Sequence, residues 1–155
     1  LFWRFANAST YIMKIVQGNT PYLFKHQKDT MDMMYTFADN SKYKVASEIA
    51  KAILDDSSKD NNDDYERVLR DRAVWLSKTD NKKKALKALN QYFKIYKYGD
   101  YSDELEKIKD KLFFDTSDAN NTVKLVTYNK LIEDYTKSSI GKRAIYEKAK
   151  LLFLI

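Results

Sequence analysis

Small and apolar residues return along this chain after 39 positions. Ala46, Ala50 and Ile53 are followed by Ala85, Leu89 and Tyr92, each 39 residues later. A unit of that length cannot bury its apolar face alone and must stack on a neighbour, which restricts the chain to repeat architectures. The punctuation agrees with helices. Three glycines and one proline in 155 residues leave few places for the tight turns of a β fold.

Helical spacing and turn signals divide the chain into about eight helices. Residues 1–17 carry Phe2, Phe5, Ala6, Ile12, Ile15 and Val16, and Gly18 stops them. Thr20 before Pro21 reads as an N-cap followed by the proline that suits a first helical turn. That second helix runs to about Ala38, and Asp39-Asn40 forms the turn into a third, about 41–54. The acid- and amide-rich stretch 55–64 reads as a loop, because its side chains compete for backbone hydrogen bonds. Asp63 and Glu66 stand at capping-box spacing before a fourth helix. Asp80-Asn81 repeats the earlier turn, a fifth helix runs to about Lys97, and Gly99-Asp100 ends that segment. A sixth helix spans about 102–115, a turn over 115–121 leads to a seventh, and Ser138-Ser139 opens the last. The pairs fall at 21–55, 63–97 and 102–137, flanked by helices at 1–17 and 140–155, in one all-α segment.

The paired helices resemble tetratricopeptide repeats. Met33, Met34, Phe37, Tyr43, Ala46, Ala50 and Ile53 fit that pattern, and so do Leu69, Ala73, Leu76, Ala85, Leu89 and Tyr92. A third unit keeps the step at Tyr128 and Leu131 but has Lys124 where a small residue belongs. The period exceeds the usual 34 residues, and the closing proline is absent at Ser58, Lys97 and Thr136. The resemblance implies an α-solenoid of antiparallel pairs wound into a right-handed superhelix, whose first helices line a concave groove. Carrying that register over puts Lys28, Met31, Tyr35, Arg67, Arg70, Val74, Lys109 and Phe113 in the groove. Such a basic and aromatic set suits an acidic or amphipathic peptide. The same positions also suit ordinary contacts between repeats.

The segment Tyr135-Thr-Lys-Ser-Ser followed by Ala144 is similar to a junction in bacterial envelope members of the family. Among them the chain most resembles the periplasmic scaffolds of some flagellar motors. That likeness implies a non-enzymatic scaffold or adaptor in a periplasmic assembly of many proteins, with self-association of solenoid ends as a further mode. An envelope or outer-membrane assembly adaptor is the alternative of the same class, and a cytoplasmic setting the alternative location. The apolar end at 151–155 reads as part of a helix in a longer protein, to be buried by further chain or by a neighbour.

Charge raises a reading of another class. The net charge is +6, and all of the excess lies in residues 78–155, with 17 basic and 11 acidic side chains. The lysine-rich stretch 82–97, with Tyr92, Tyr96, Tyr98 and Tyr101 interleaved, could make a nucleic-acid face. Only five arginines are present, so the bidentate phosphate contacts of such faces are poorly supplied. The lysines then read as a solvated face, and the tyrosines as seam fillers with wet hydroxyls.

Catalytic and metal signatures are missing from the sequence. One histidine, His26, and no cysteine offer neither a multi-histidine nor a thiolate site. The acidic run 60–64 lacks the glycine and closing glutamate of a calcium loop. No cofactor, no metal and no membrane span are expected.

Overall fold

The computed structural model describes residues 2–18, 20–116 and 119–155. The side chains of residues 2–6, 20 and 24 lie outside that description. With them go the apolar positions Phe2, Phe5 and Ala6, the Thr20 cap, and residues 117–118 of the expected turn. Among the described residues the chain is all-helical without strands, in nine helices. These are α1 (Phe2–Gly18), α2 (Thr20–Lys25), α3 (Gln27–Asp39), α4 (Tyr43–Asp55), α5 (Tyr65–Ser77), α6 (Lys82–Ile95), α7 (Ser102–Phe114), α8 (Asn121–Asp134) and α9 (Ser139–Leu154).

The repeat is visible in where the helices begin. Helices α4, α6 and α8 start at residues 43, 82 and 121, each 39 after the last. Burial follows the same period. Ala46, Ala50 and Ile53 are 0% exposed, and so are Ala85, Leu89 and Tyr92. The alanines let helix backbones approach closely, and the larger residues fill the space that opens beside them.

The chain forms two compact units, Leu1–Phe113 and Phe114–Ile155. In the first, consecutive helices α3, α4, α5 and α6 pack side by side, and α1 and α2 also lie against α4. Leu105 of α7 is fully buried in the same core, with Ile108 and Leu112 packed on it. In the second unit α8 packs on α9, burying Tyr128, Leu131, Gly141 and Ala144. The Phe114 and Tyr128 rings lie 6.4 Å apart, and the Arg143 guanidinium sits 4.5 Å over Phe114. This unit leaves Val126, Ile145 and the end residues Phe153 and Leu154 exposed.

Side-chain caps explain several of the boundaries. The carbonyl of Asn81 accepts from Lys84 N at 2.9 Å, and that of Asn120 accepts from Val123 N at 2.9 Å. Ser138 Oγ accepts from Gly141 N at 3.3 Å. After α3, Ser41 adopts φ 59°, and Lys42 N donates back to Phe37 O at 2.8 Å. That bond closes the left-handed helix exit normally taken by glycine.

Two local expectations are corrected. The helix expected over 21–38 is broken at His26, which makes nine helices rather than eight. Buried Thr30 supports the break: its hydroxyl donates to Leu23 O at 2.8 Å, satisfying a last-turn carbonyl of α2. The Asp63–Glu66 capping box does not form either. Helix α5 starts after Asp64, whose side chain makes no cap bond. Glu66 instead accepts from the Tyr92 hydroxyl at 2.6 Å and from Asp100 N at 2.9 Å.

Candidate functional site

Lys28, Met31 and Tyr35 fall on successive turns of α3, at steps of three and four, and so share one face of the helix. Arg67 stands at the equivalent place near the start of α5. The structure brings these four together in one cleft of about 550 Å³, completed by Gln27, Asp32 and Asp64. Met31 is buried and Tyr35 half-buried, so they form its floor, while Lys28, Asp32 and Arg67 stand exposed around it.

The floor is rigidly held. Gln27 Nε2 donates to Asn62 Oδ1 at 2.9 Å, and Asn62 is itself buried and also accepts from Asp64 N. The loop over 55–64 therefore turns one amide inward to brace α3. Tyr35 packs edge-on against Trp75 at 5.8 Å, and its hydroxyl donates to Asp71 Oδ2 at 2.7 Å. Burial, reinforced by that bond to a carboxylate, pushes the Tyr35 phenol well above its ordinary value. Arg67 lies 5.9 Å over the Tyr35 ring while bonded to Asp64 at 2.7 Å. Lys28 and Asp32 make no ion pair among the described residues, so both charges are available at the rim.

Arg70 sits next to this cleft but is used differently. Its Nε and Nη2 bond the two oxygens of Glu104 on α7 at 2.8 and 2.7 Å. Its Nη1 reaches Asp71 Oδ1 at 2.6 Å, and the guanidinium lies 5.4 Å over Tyr101. The hydrogen bonds to Glu104, with a smaller contribution from Asp71, strengthen its hold on its proton. Arg70 thus joins α5 to α7 as a contact between repeats. Val74 is half-buried on α5. Lys109 lies 5.4 Å over the Phe93 ring of α6, and buried Phe113 has Lys82 of α6 at 5.9 Å. These last three do not line the cleft.

The tyrosines are corrected in one respect. Tyr92 is fully buried with its hydroxyl bonded to Glu66, so it keeps no wet edge. Tyr96 and Tyr101 are half-buried, which leaves Tyr98 as the exposed ring of the four. The 82–97 stretch therefore presents lysines without a run of stacking rings.

Among the described residues no group of three acidic, histidine or cysteine side chains could hold a metal ion. No described helix is long and apolar enough to cross a membrane. No protein-family model matches the chain, and no curated protein matches it.

Proposed function

We propose that this chain is a non-enzymatic scaffold that docks a short amphipathic, partly acidic peptide segment of a partner protein in the α3–α5 cleft. The observation that carries this reading is the cleft itself: an apolar Met31–Tyr35 floor beneath Lys28 and Arg67, on two helices held side by side through α4. Apolar anchors in a partner helix would cover the floor, its carboxylates would meet Lys28, and Arg67, bonded to Asp64 through Nη2, would offer its remaining N–H groups. The tetratricopeptide resemblance supports the same mode, and on that resemblance alone we extend the proposal to an assembly of the bacterial envelope.

Selection of displayed 12-residue peptides against the whole chain tests it. Selected peptides carry apolar residues at helical spacing with acidic neighbours, and they shift the amide resonances of Met31 and Tyr35. Binding falls about tenfold in each of Lys28→Glu and Arg67→Glu, as for loss of one charge-assisted contact. Peptides that bind equally well to both variants would overturn the reading. Arg70 is unsuitable for this test, since its removal also cuts the bond to Glu104.

A further inference from the structure

A second cleft, of about 480 Å³, lies between α4, α5 and α6 and shares no residue with the first. It is lined by four cations, Lys51, Arg72, Lys84 and Lys87, with two carboxylates, Glu48 and Asp55, and the apolar edge of Leu54. Both carboxylates are already engaged. Lys51 bonds Asp55, and Lys84 bonds Glu48 at 3.1 Å. Among the described residues Arg72 and Lys87 make no ion pair.

Arg72 is the unusual member. It is half-buried, and its Nη1 makes one long bond to Gln91 Oε1 at 3.4 Å. Its buried Nε has no partner among the described residues. Guanidinium groups taken out of water ordinarily gain a bidentate oxyanion, as Arg70, two residues earlier on α5, does with Glu104. Burial also weakens the hold of Arg72 on its proton, and Glu48 and Asp55 offset that only in part. A guanidinium so poorly paired is costly to bury, and an oxyanion in the cleft beside it would offset part of that cost.

We infer that the α4–α5–α6 cleft is an oxyanion site, in which Arg72 and Lys87 receive a phosphate or carboxylate group and Gln91 supplies a further hydrogen bond. The excess of two positive charges matches one phosphate dianion or two neighbouring carboxylates. Arg72 lines the cleft and supplies the directional contact. Lys87, exposed one turn before Gln91 on α6, closes over the anion from the solvent side. The site stands independently of the α3–α5 cleft.

The test is an NMR titration of the Arg72 side-chain Nε–Hε resonance in the whole chain. Inorganic phosphate is added against chloride at matched ionic strength, and a glutamate-rich peptide is titrated separately. Phosphate produces a saturable shift that chloride does not, and Lys87→Gln weakens it about tenfold. Arg72→Met, which keeps the stem and removes the charge, abolishes binding as read by calorimetry, while Arg67→Gln leaves it unchanged. Displacement of phosphate by the peptide identifies protein carboxylates as the source, and its failure to displace identifies free phosphate. An Arg72 resonance unmoved by either probe, or moved equally by chloride, overturns the inference. So does undiminished binding in folded Lys87→Gln.

Discussion

Tyr35 of α3 donates its phenolic hydrogen to the buried carboxylate of Asp71 on α5, at 2.7 Å. Asp71 is 4% exposed, and its other oxygen takes Arg70 Nη1. A buried carboxylate with two donors is stable, whereas one stripped of a donor bears the desolvation cost of its free oxygen. Tyr35→Phe is therefore expected to destabilise the chain by about 1.5–3 kcal/mol. Urea unfolding followed by tryptophan fluorescence measures it, and Trp75, packed on that ring, reports the site directly.

The Tyr92 phenol gives a pH dependence of known sign. Burial, together with its hydrogen bond to the Glu66 carboxylate, raises its pKa from 10.0 to about 12. The folded state thus holds this proton more tightly than the unfolded chain does. The stability linked to it is fully present below pH 10 and is lost as pH rises from about 10 to about 12. Wild type is expected to lose stability more steeply than Tyr92→Phe across that window. Parallel urea-midpoint curves for the two proteins would contradict this.

Two glycines are required by close approach. A Cβ on Gly99 would collide with Glu66 Oε1, the Tyr92 hydroxyl and Tyr96 Cβ, at the centre of the bonds that join α5, α6 and the following loop. One on Gly141 would collide with the backbone carbonyl of Tyr135. Each glycine-to-alanine change is expected to cost about 1–3 kcal/mol by overpacking. Gly141→Ala falls at the upper end, because a main-chain carbonyl gives way less easily than side chains. Thermal unfolding monitored by circular dichroism separates them.

The repeat itself makes a comparative prediction. Ala46 and Ala85 occupy equivalent, fully buried crossings, so Ala46→Leu and Ala85→Leu are expected to destabilise alike, by about 1–3 kcal/mol. Lys124, at the third equivalent position, is half-buried, and Lys124→Leu should stay within about 0.5 kcal/mol of wild type. Denaturation midpoints for the three variants check the ranking.

The helices were legible because their signals are local. The turns at Asp80-Asn81 and Ser138-Ser139 are read from neighbours a few residues apart, and the recurrence of Ala46 at Ala85 from the chain laid against itself. The break at His26 was not, because it depends on a Thr30 hydroxyl reaching Leu23 O inside the core. Glu66 had the spacing of a capping residue, and a tyrosine 26 residues away took its carboxylate instead. Of the groove positions, Lys28, Met31, Tyr35 and Arg67 come together in the α3–α5 cleft. Arg70 sits next to it, but its role was set by Glu104, 34 residues away, which no local pattern reveals. Arg72 carried no signal at all in the sequence, since an unpartnered guanidinium is a property of packing.

The substitution of tyrosine for isoleucine between equivalent sites, Ile53 and Tyr92, has a consequence for how the modules can be exchanged. The hydroxyl of Tyr92 receives Tyr101 N as it donates to Glu66, so it steers the chain out of α6 toward α7. A protein rebuilt with the first module copied over the second would keep the apolar seam and lose this signpost. Shared periodicity thus lets the modules share a seam, while one oxygen atom, held by Glu66 and Tyr101 N, makes the exit of the second unlike that of the first.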